Sequence, residues 1–577
     1  MTDQMTDGAA EPQRKRSVWS ALAVFLERRT LVMLALGFAA GLPNLLVFDT
    51  LSAWLRESGV TLQAIGFFSL ATLAYSFKFL WAPIVDRTSL PVLTPLLGHR
   101  RSWMLAAQGA VIFGLWLISG SNPAANLGLV AAFAVLVAFC SATQDIVIDA
   151  WRIESVGQER QGAMAAAYQW GYRVAIIVAG VAPLLLSDAF NWAFAYAAMA
   201  ALMGIGILAV LAAPREAKRP DLPSLMPTDM PKKPAPEAAE WLARLALLVF
   251  GALIFGTGFT GEFGLMRGAI SVLTGADGVA AFEAAWKARP GGVFLQLLFV
   301  ATGGAMIVFA ALPFPGASTR PGVYFTRSYG EPLADFFKRF AGSAGLILAM
   351  ICCYRLSDFV LNIMNPFYLD LGFDKERIAE IRKGFGVIML MAGVGVAGWS
   401  IARYGLLRPL IVGAFAGPLS NLVFAWLAMQ GPDWRAFAIA IAVDNLTAGF
   451  SGTILIAYMS SLTSAGFTAT QYALFSSLYS LPGKLIAAQS GGIIEAAARG
   501  AAPGGPFSGL TSLFSKLPPN AYASAAEKLG VAPSALGAGY AVFFFYSCAI
   551  GAAAIVLAFM IVKRQPDDAP TPETKAA

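Results

Sequence analysis

Apolar runs of about twenty residues, separated by short polar turns, recur along nearly the whole chain, and each is long enough to cross a hydrocarbon core of about 30 Å as a helix. Barrel strands would be half as long and would alternate apolar with polar positions, so the pattern predicts an all-α polytopic membrane protein. In the first part of the chain the predicted spans cover residues 31–47, 62–84, 103–118, a fourth beginning near Gly128, a fifth holding Tyr168 to Arg173, and 192–213. A stretch rich in Pro, Lys and Asp follows, reading as a domain linker. Runs 241–259 and 292–314 then form an inserted two-helix hairpin, and a charged segment 318–339 returns to the bundle. The last spans start near Ser343 and cover 385–401, 407–429, 437–462, 472–488 and 539–562. The total is about fourteen membrane helices. The seventh bundle helix is expected to break at Pro366, which is tolerated where backbone lines a cavity.

Composition agrees with this class. Of 577 residues, 57% are hydrophobic and 13% charged, against about 25% charged in a soluble domain. The net charge of +7 comes mainly from Lys and Arg in short loops, as topology requires, so no nucleic-acid partner is predicted. With the N-terminus in the cytoplasm the basic loops fall inside, which places both termini there. Residues 1–16 read as a polar tail and 17–26 as an interfacial helix rather than a signal peptide, because no small-residue cleavage site closes the following span. The Gly-, Pro- and Ser-rich stretch 499–531 falls outside and predicts a short amphipathic helix on the membrane surface. Cys140, Cys352, Cys353 and Cys548 all sit in apolar runs, so no disulfide framework is implied. His99 stands in a basic loop without a second ligand, expected on a solvated face, so no metal site is predicted.

The candidate chemistry lies in polar groups that the spans would bury. Ser141 to Arg152 places Gln144, Asp145 and Asp149 inside the fourth span, with the two acids four residues apart on one helix face and Arg152 a turn on. An Asp at the bilayer centre costs roughly 2.5–3.5 kcal/mol, and such acids by default mark a transport path. The alternative is a structural salt bridge. Asp145 and Asp149 are candidate proton carriers, with Asp149 slightly favoured for its nearness to Arg152, and Asp358 is their rival in the second half. The predicted cavity lining comprises Tyr75, Lys78, Gln144, Tyr168, Gln169, Tyr172, Arg173, Tyr354, Arg355, Asn362, Asn445, Tyr472 and Lys484, rings and polar groups suited to a large polar ligand. Buried Arg173, Arg355 and Lys484 would each need an anionic partner, either a carboxylate of the cargo or an intramembrane Asp. No nucleophile with a base and no metal spacing points to a membrane enzyme, and no cofactor is predicted.

Two patterns organise these residues. Ser141–Arg173 can be laid on Ser451–Lys484: each has an apolar helix, a short loop, a glutamine (Gln161, Gln471), an aromatic-containing helix and a base on the same turn, as transporters built from repeated units show. Asp86-Arg87, followed by Gly98-His99-Arg100-Arg101, resembles the loop between the second and third helices of major facilitator transporters. That likeness implies a gating role for Asp86, Arg87, Arg100 and Arg101.

The motifs Leu51 to Val60, Ile65 to Leu70, Phe77 to Pro83, Ser141 to Ala150, Gly171-Tyr172-Arg173 and Phe467 to Leu474 resemble the AmpG muropeptide permease family of the major facilitator superfamily. The resemblance covers about residues 31–214 and 335–495 and implies two six-helix halves with a cavity between them. The expected division is 1–30 tail and interfacial helix, 31–214 first half, 215–340 linker with hairpin, 341–563 second half with an external segment 497–535, and 564–577 tail. The resemblance further implies proton-driven import of N-acetylglucosaminyl-1,6-anhydro-N-acetylmuramyl peptides across the bacterial inner membrane, for wall recycling and, in some bacteria, β-lactamase induction. Protons, membrane lipid and this small molecule are the expected partners, with the chain acting as a monomer. Acetyl-CoA transporters are distant relatives, so another large anionic metabolite is the alternative cargo.

Overall fold

The computed structural model describes residues 24–60, 75, 77–157, 160–215, 225, 230–231, 233–260, 263–288, 291–312, 314, 319–487 and 490–564. Among them every regular element is a helix. Ten helices are long and apolar enough to cross a membrane, or eleven if the bent pair Arg320–Arg339 and Ala344–Asp358 counts as one. The expected fourteen continuous apolar spans are therefore not reached among the described residues. Four expected spans are not among the ten: Arg28–Leu45 opens on two arginines and passes into a π-turn at Leu46, the seventh is broken, and Thr468–Ala487 is rich in Ser, Thr and Tyr, while residues 61–74 of the second span lie outside the described residues.

In the first half, Asn126 accepts from the Leu129 amide at 3.2 Å and starts the Leu127–Glu154 helix. Asn191 does the same for Phe194 at 2.8 Å ahead of Trp192–Leu202. Such caps satisfy amides that the first turn of a helix leaves open. The Gln161–Ala189 helix packs so tightly on Arg28–Leu45 that a Cβ at Gly171 would collide with the Leu34 carbonyl. The same helix faces Gly386–Tyr404 of the second half. There a Cβ at Gly162 would stand 2.7 Å from Ile401 Cβ, and the Trp170 indole donates to the Met391 carbonyl at 2.8 Å. Buried apolar clusters fill each half, and Ala469 and Ala473 of the second half join the cluster around Met33, Val147 and Trp151 of the first.

The seventh helix breaks earlier than expected. Ala344–Cys353 ends at Tyr354, a short Leu356–Phe359 turn and a 3-10 stretch Val360–Ile363 follow, and Met364–Leu371 resumes. Pro366 sits in the first turn of that last piece, where its missing amide costs no helical hydrogen bond. Arg355 and Asp358 thus lie in the break itself.

The inserted segment holds three helices. Pro234–Thr260 packs on Gly291–Ala311 as expected, but Gly264–Lys287 intervenes, bent at Gly275 (φ 72°) and joined limb to limb by Arg267–Glu283 at 3.1 Å. Its mixed polarity hid it from a search for apolar runs. The segment ends in a buried knot: Arg244 pairs with Glu240 at 2.6 Å, and its guanidinium lies 4.0 Å and 3.9 Å from the ring centroids of Phe314 and Phe325.

In residues 499–531 the expected short amphipathic helix is Ala523–Leu529, and it packs on the second half's core, with Ala526 buried and Ser524, Glu527 and Lys528 exposed. Phe514, Tyr522 and Ala526 are buried in the second half's core, and Tyr522 donates through its amide to Asp370 O (2.7 Å) and through its hydroxyl to Ala428 O (3.1 Å). Burying two aromatic side chains gives roughly 1.5–3 kcal/mol each, which explains why the chain folds inward. The four cysteines are free thiols. His99 is half-buried and bonds the Val85 carbonyl at 2.7 Å rather than facing solvent. The expected interfacial helix lies outside the described residues apart from a 3-10 turn, Val24–Leu26.

Candidate functional site

From Ser141 to Arg152 every side chain of the Leu127–Glu154 helix is buried, so its polar face meets protein on all sides. Asp149 is held by two cations: Lys78 Nζ at 3.7 Å and Arg152 Nη2 at 3.2 Å. Arg152 also donates to Ser460 Oγ at 2.9 Å and lies 5.2 Å from the Tyr472 ring centroid, tying the first half to the second. A buried charge needs such partners to offset its desolvation. Asp145, one turn back, lies within electrostatic reach of Lys78, Asp149, Tyr168 and Tyr172. Among the described residues its Oδ1 has no hydrogen-bond partner, and neither has either amide atom of Gln144. Tyr168 and Tyr172 pair with ring centroids 5.9 Å apart, and Asn44 donates to the Tyr172 hydroxyl. Gln169 and Arg173 are half-buried on the same helix, and Arg173 Nε is unpartnered.

Across the interface, Arg355 donates through Nε to Asp358 at 2.6 Å and through Nη1 to the Tyr479 hydroxyl at 3.5 Å. It lies within electrostatic reach of Arg173 and of Asp444. Asp444 in turn interacts with Asp358 and Arg382. The structure therefore gathers Asp145, Asp149, Lys78, Tyr168, Tyr172, Arg173, Tyr472, Arg355 and Asp358 into one charged band, buried to half-buried, running through both halves. Tyr354 does not join it. It is buried in the second half's core with its hydroxyl on the Leu410 carbonyl at 2.9 Å, because neighbours on a helix point about 100° apart and Arg355 takes the inward direction. Asn445 turns its amide back to Ile441 O at 3.0 Å. The side chains of Asn362 and Lys484 lie outside the described residues. Sequence reasoning missed Asp444 and Tyr479, although Asp444 inside the apolar run 437–462 met the same rule that singled out Asp145.

At one end of the bundle the halves are latched. Asp86 Oδ1 accepts from Arg100 at 2.7 Å, and Arg100 also reaches Glu154 at 2.6 Å. The other Asp86 oxygen accepts from the backbone amide (2.8 Å) and hydroxyl (2.6 Å) of Thr470, while Ala469 N lies 3.3 Å from Oδ1. These amides open the Thr468–Ala487 helix, where partial positive charge favours a carboxylate. Arg87 pairs with Glu331 at 2.7 Å. Glu331 begins a helix whose Asp335 accepts from Ser464 Oγ (2.8 Å) and Gln471 Nε2 (2.9 Å). Arg101 instead donates to the Val210 and Leu211 carbonyls of its own half, each at 3.0 Å. The two matched glutamines do similar work. Gln161 donates to Ile153 O and Val156 O, and Gln471 accepts from Ser464 N, each closing the loop that precedes its helix.

Comparison with known proteins follows the same lines. Residues 29–126 match a family model described as acetyl-coenzyme A transporter 1. The anhydromuropeptide permease of Escherichia coli K12 is 28% identical over 478 residues, 82% of this chain and 76% of its own. The putative transporter AmpG 4 of Rickettsia conorii is 26% identical over 475 residues, 82% of this chain and 91% of its own. Among solved structures, the proton:xylose symporter XylE aligns over 94% of this chain and 96% of its own, with TM-score 0.48 and 10% identity. The resemblance to the AmpG family seen in the motifs thus extends over four fifths of the chain and through both helical halves.

Proposed function

We propose that this multi-pass transporter imports N-acetylglucosaminyl-1,6-anhydro-N-acetylmuramyl peptides across the bacterial inner membrane, driven by the proton gradient. The observation that carries the reading is the similarity to permeases so named, which runs through both helical halves. The charged band supports it, since a peptide cargo brings carboxylates that Arg173 and Arg355 can meet bidentately. Among the acids, Asp145 becomes the preferred proton carrier. Asp149 already holds two ion pairs, whereas Asp145 Oδ1 can take a proton without breaking one. Import delivers muropeptides for wall recycling and for induction of β-lactamase. Both termini face the cytoplasm in this scheme, and the monomer is the working unit. Uptake of radiolabelled anhydro-muropeptide into proteoliposomes containing only this protein, with and without an imposed proton gradient, tests it; no uptake in either condition rejects it.

The match of residues 29–126 to an acetyl-coenzyme A transporter model favours a second cargo, an acyl-CoA. Excess acetyl-CoA should leave muropeptide uptake unchanged; full competition would move the reading to that class.

The Asp86 cluster is the proposed gate at the cytoplasmic end, with Arg87, Arg100 and Glu331 as its partners. Asp86→Asn removes the charge that four donors share. A carboxylate capping the start of a helix is worth about 0.5–2 kcal/mol. The expected result is at least a tenfold slower uptake with ligand affinity nearly kept, and faster labelling of Gln169→Cys by an impermeant maleimide from the cytoplasmic side. Unchanged labelling and rate would remove the latch role.

The inserted segment is proposed to be peripheral to transport. Replacing residues 234–312 by a flexible linker while keeping 319–339 takes Glu240 and Arg244 away from Thr319 and Phe325, which lowers stability, but it leaves the charged band in place. Uptake should stay within roughly fivefold of the parent. Complete loss in a folded, normally expressed protein would refute this.

A further inference from the structure

Five buried polar atoms beside the charged band have no hydrogen-bond partner by strict geometry among the described residues. They are Ser141 Oγ, Gln144 Nε2 and Oε1, Asp145 Oδ1 and the Tyr75 hydroxyl. Ser141 and Gln144 are wholly buried and Asp145 is 7% exposed. The spacing brings them near one another: Gln144 and Asp145 lie three and four residues beyond Ser141 and flank it on the Leu127–Glu154 helix, about 100° apart. Tyr75 faces them from the second span, within electrostatic reach of Asp145 and with its hydroxyl marginally placed to bond that of Ser141. Folded proteins pair nearly all buried polar atoms, and several unpaired together point to something the site receives.

The donor and acceptor inventory narrows what that is. Gln144 offers N–H donors and a carbonyl acceptor, the two hydroxyls can do either, and Asp145 Oδ1 accepts when ionised. A carboxylate would meet the Asp145 charge, so an anionic group is disfavoured. A neutral group with an N–H and a carbonyl of its own fits, because it can donate to Gln144 Oε1 or Asp145 while accepting from Gln144 Nε2 or a hydroxyl. We infer that Tyr75, Ser141, Gln144 and Asp145 form a subsite for an acetamido group of an amino sugar, with Gln144 as its specificity-determining residue. This rests on the cargo proposed above. It also orders that cargo, with the sugar against the first half and the peptide carboxylates toward Arg173 and Arg355.

The test is isothermal titration of the full-length purified protein with N-acetylglucosaminyl-anhydro-N-acetylmuramyl tripeptide and with an analogue carrying hydroxyls in place of the acetamido groups. A site built to hydrogen-bond a group discriminates strongly against its absence. The parent is expected to prefer the acetamido probe at least about tenfold, and Gln144→Leu to reduce that preference to within about twofold. Ser141→Ala and Tyr75→Phe should each lower it measurably, and they carry the test if Gln144→Leu does not fold. A parent that binds both probes equally, or variants that keep the full preference, overturn the subsite and leave the five atoms to bound water. A parent that binds neither probe instead overturns the cargo.

Discussion

In energised proteoliposomes, Asp145→Asn is expected to bring the accumulation of radiolabelled anhydro-muropeptide down to equality across the membrane, while exchange of labelled for unlabelled cargo continues. Each charge moved through 100 mV is worth about 2.3 kcal/mol, roughly fiftyfold in concentration, so that is the size of the loss for one coupled proton. Asn mimics the protonated acid and keeps its volume, so the cavity should still cycle when nothing can be released to the other side. Asp149→Asn should behave differently. It leaves Lys78 and Arg152, both buried, without their shared carboxylate, and removing one partner of a buried pair costs roughly 3–5 kcal/mol. Exchange should therefore fall along with accumulation, and thermal stability with both. If Asp145→Asn still concentrates cargo, coupling passes to Asp358 or Asp444, and the same assay on their Asn variants decides between them.

A second large effect is expected at Arg355. Its guanidinium is partly buried between Asp358 and Tyr479, and substituting Ala would strand the Asp358 charge and confuse binding with folding. The pair Arg355→Gln with Asp358→Asn removes both charges together and keeps the shapes. Loss of a buried charge that meets a carboxylate costs about 2–5 kcal/mol of affinity. Binding of the tripeptide-bearing probe should thus weaken by at least thirtyfold, whereas the same disaccharide without its peptide should bind within about threefold of the parent. Equal weakening for both probes would show that Arg355 shapes the cavity rather than reading the cargo's charge.

Much of this site was legible in the residue pattern, because water-loving groups inside apolar runs are costly and therefore few. Asp145, Asp149, Lys78, Arg173 and Arg355 could be found this way, and they meet in space. Asp444 obeyed the same rule and was overlooked beside Asn445. What the pattern could not convey was direction. Tyr354 and Arg355 are neighbours in sequence, yet one seals the core and the other faces the interface. Nor could it convey partnership between distant segments. Glu154, Glu331 and Thr470 read as ordinary loop and helix-end residues until folding brings them to Arg100, Arg87 and Asp86. The stretch 499–531 shows the same gap: its scattered apolar residues suggest a short amphipathic helix, as Ala523–Leu529 is, but not that Tyr522 and Phe514 anchor it in the core beneath.

The Asp86 contact has a consequence for how the two halves part. The opening turn of the Thr468–Ala487 helix takes its acceptor from the opposite half, so this helix is completed by a residue that does not travel with it. When the bundle opens at that end, water must take over those amides. A cap of this kind is worth about 0.5–2 kcal/mol, a few times thermal energy at most. The borrowed terminus therefore works as a catch light enough to release spontaneously yet biased enough to rest closed, which leaves the choice of resting state to small differential affinities of cargo and proton rather than to a large stored strain.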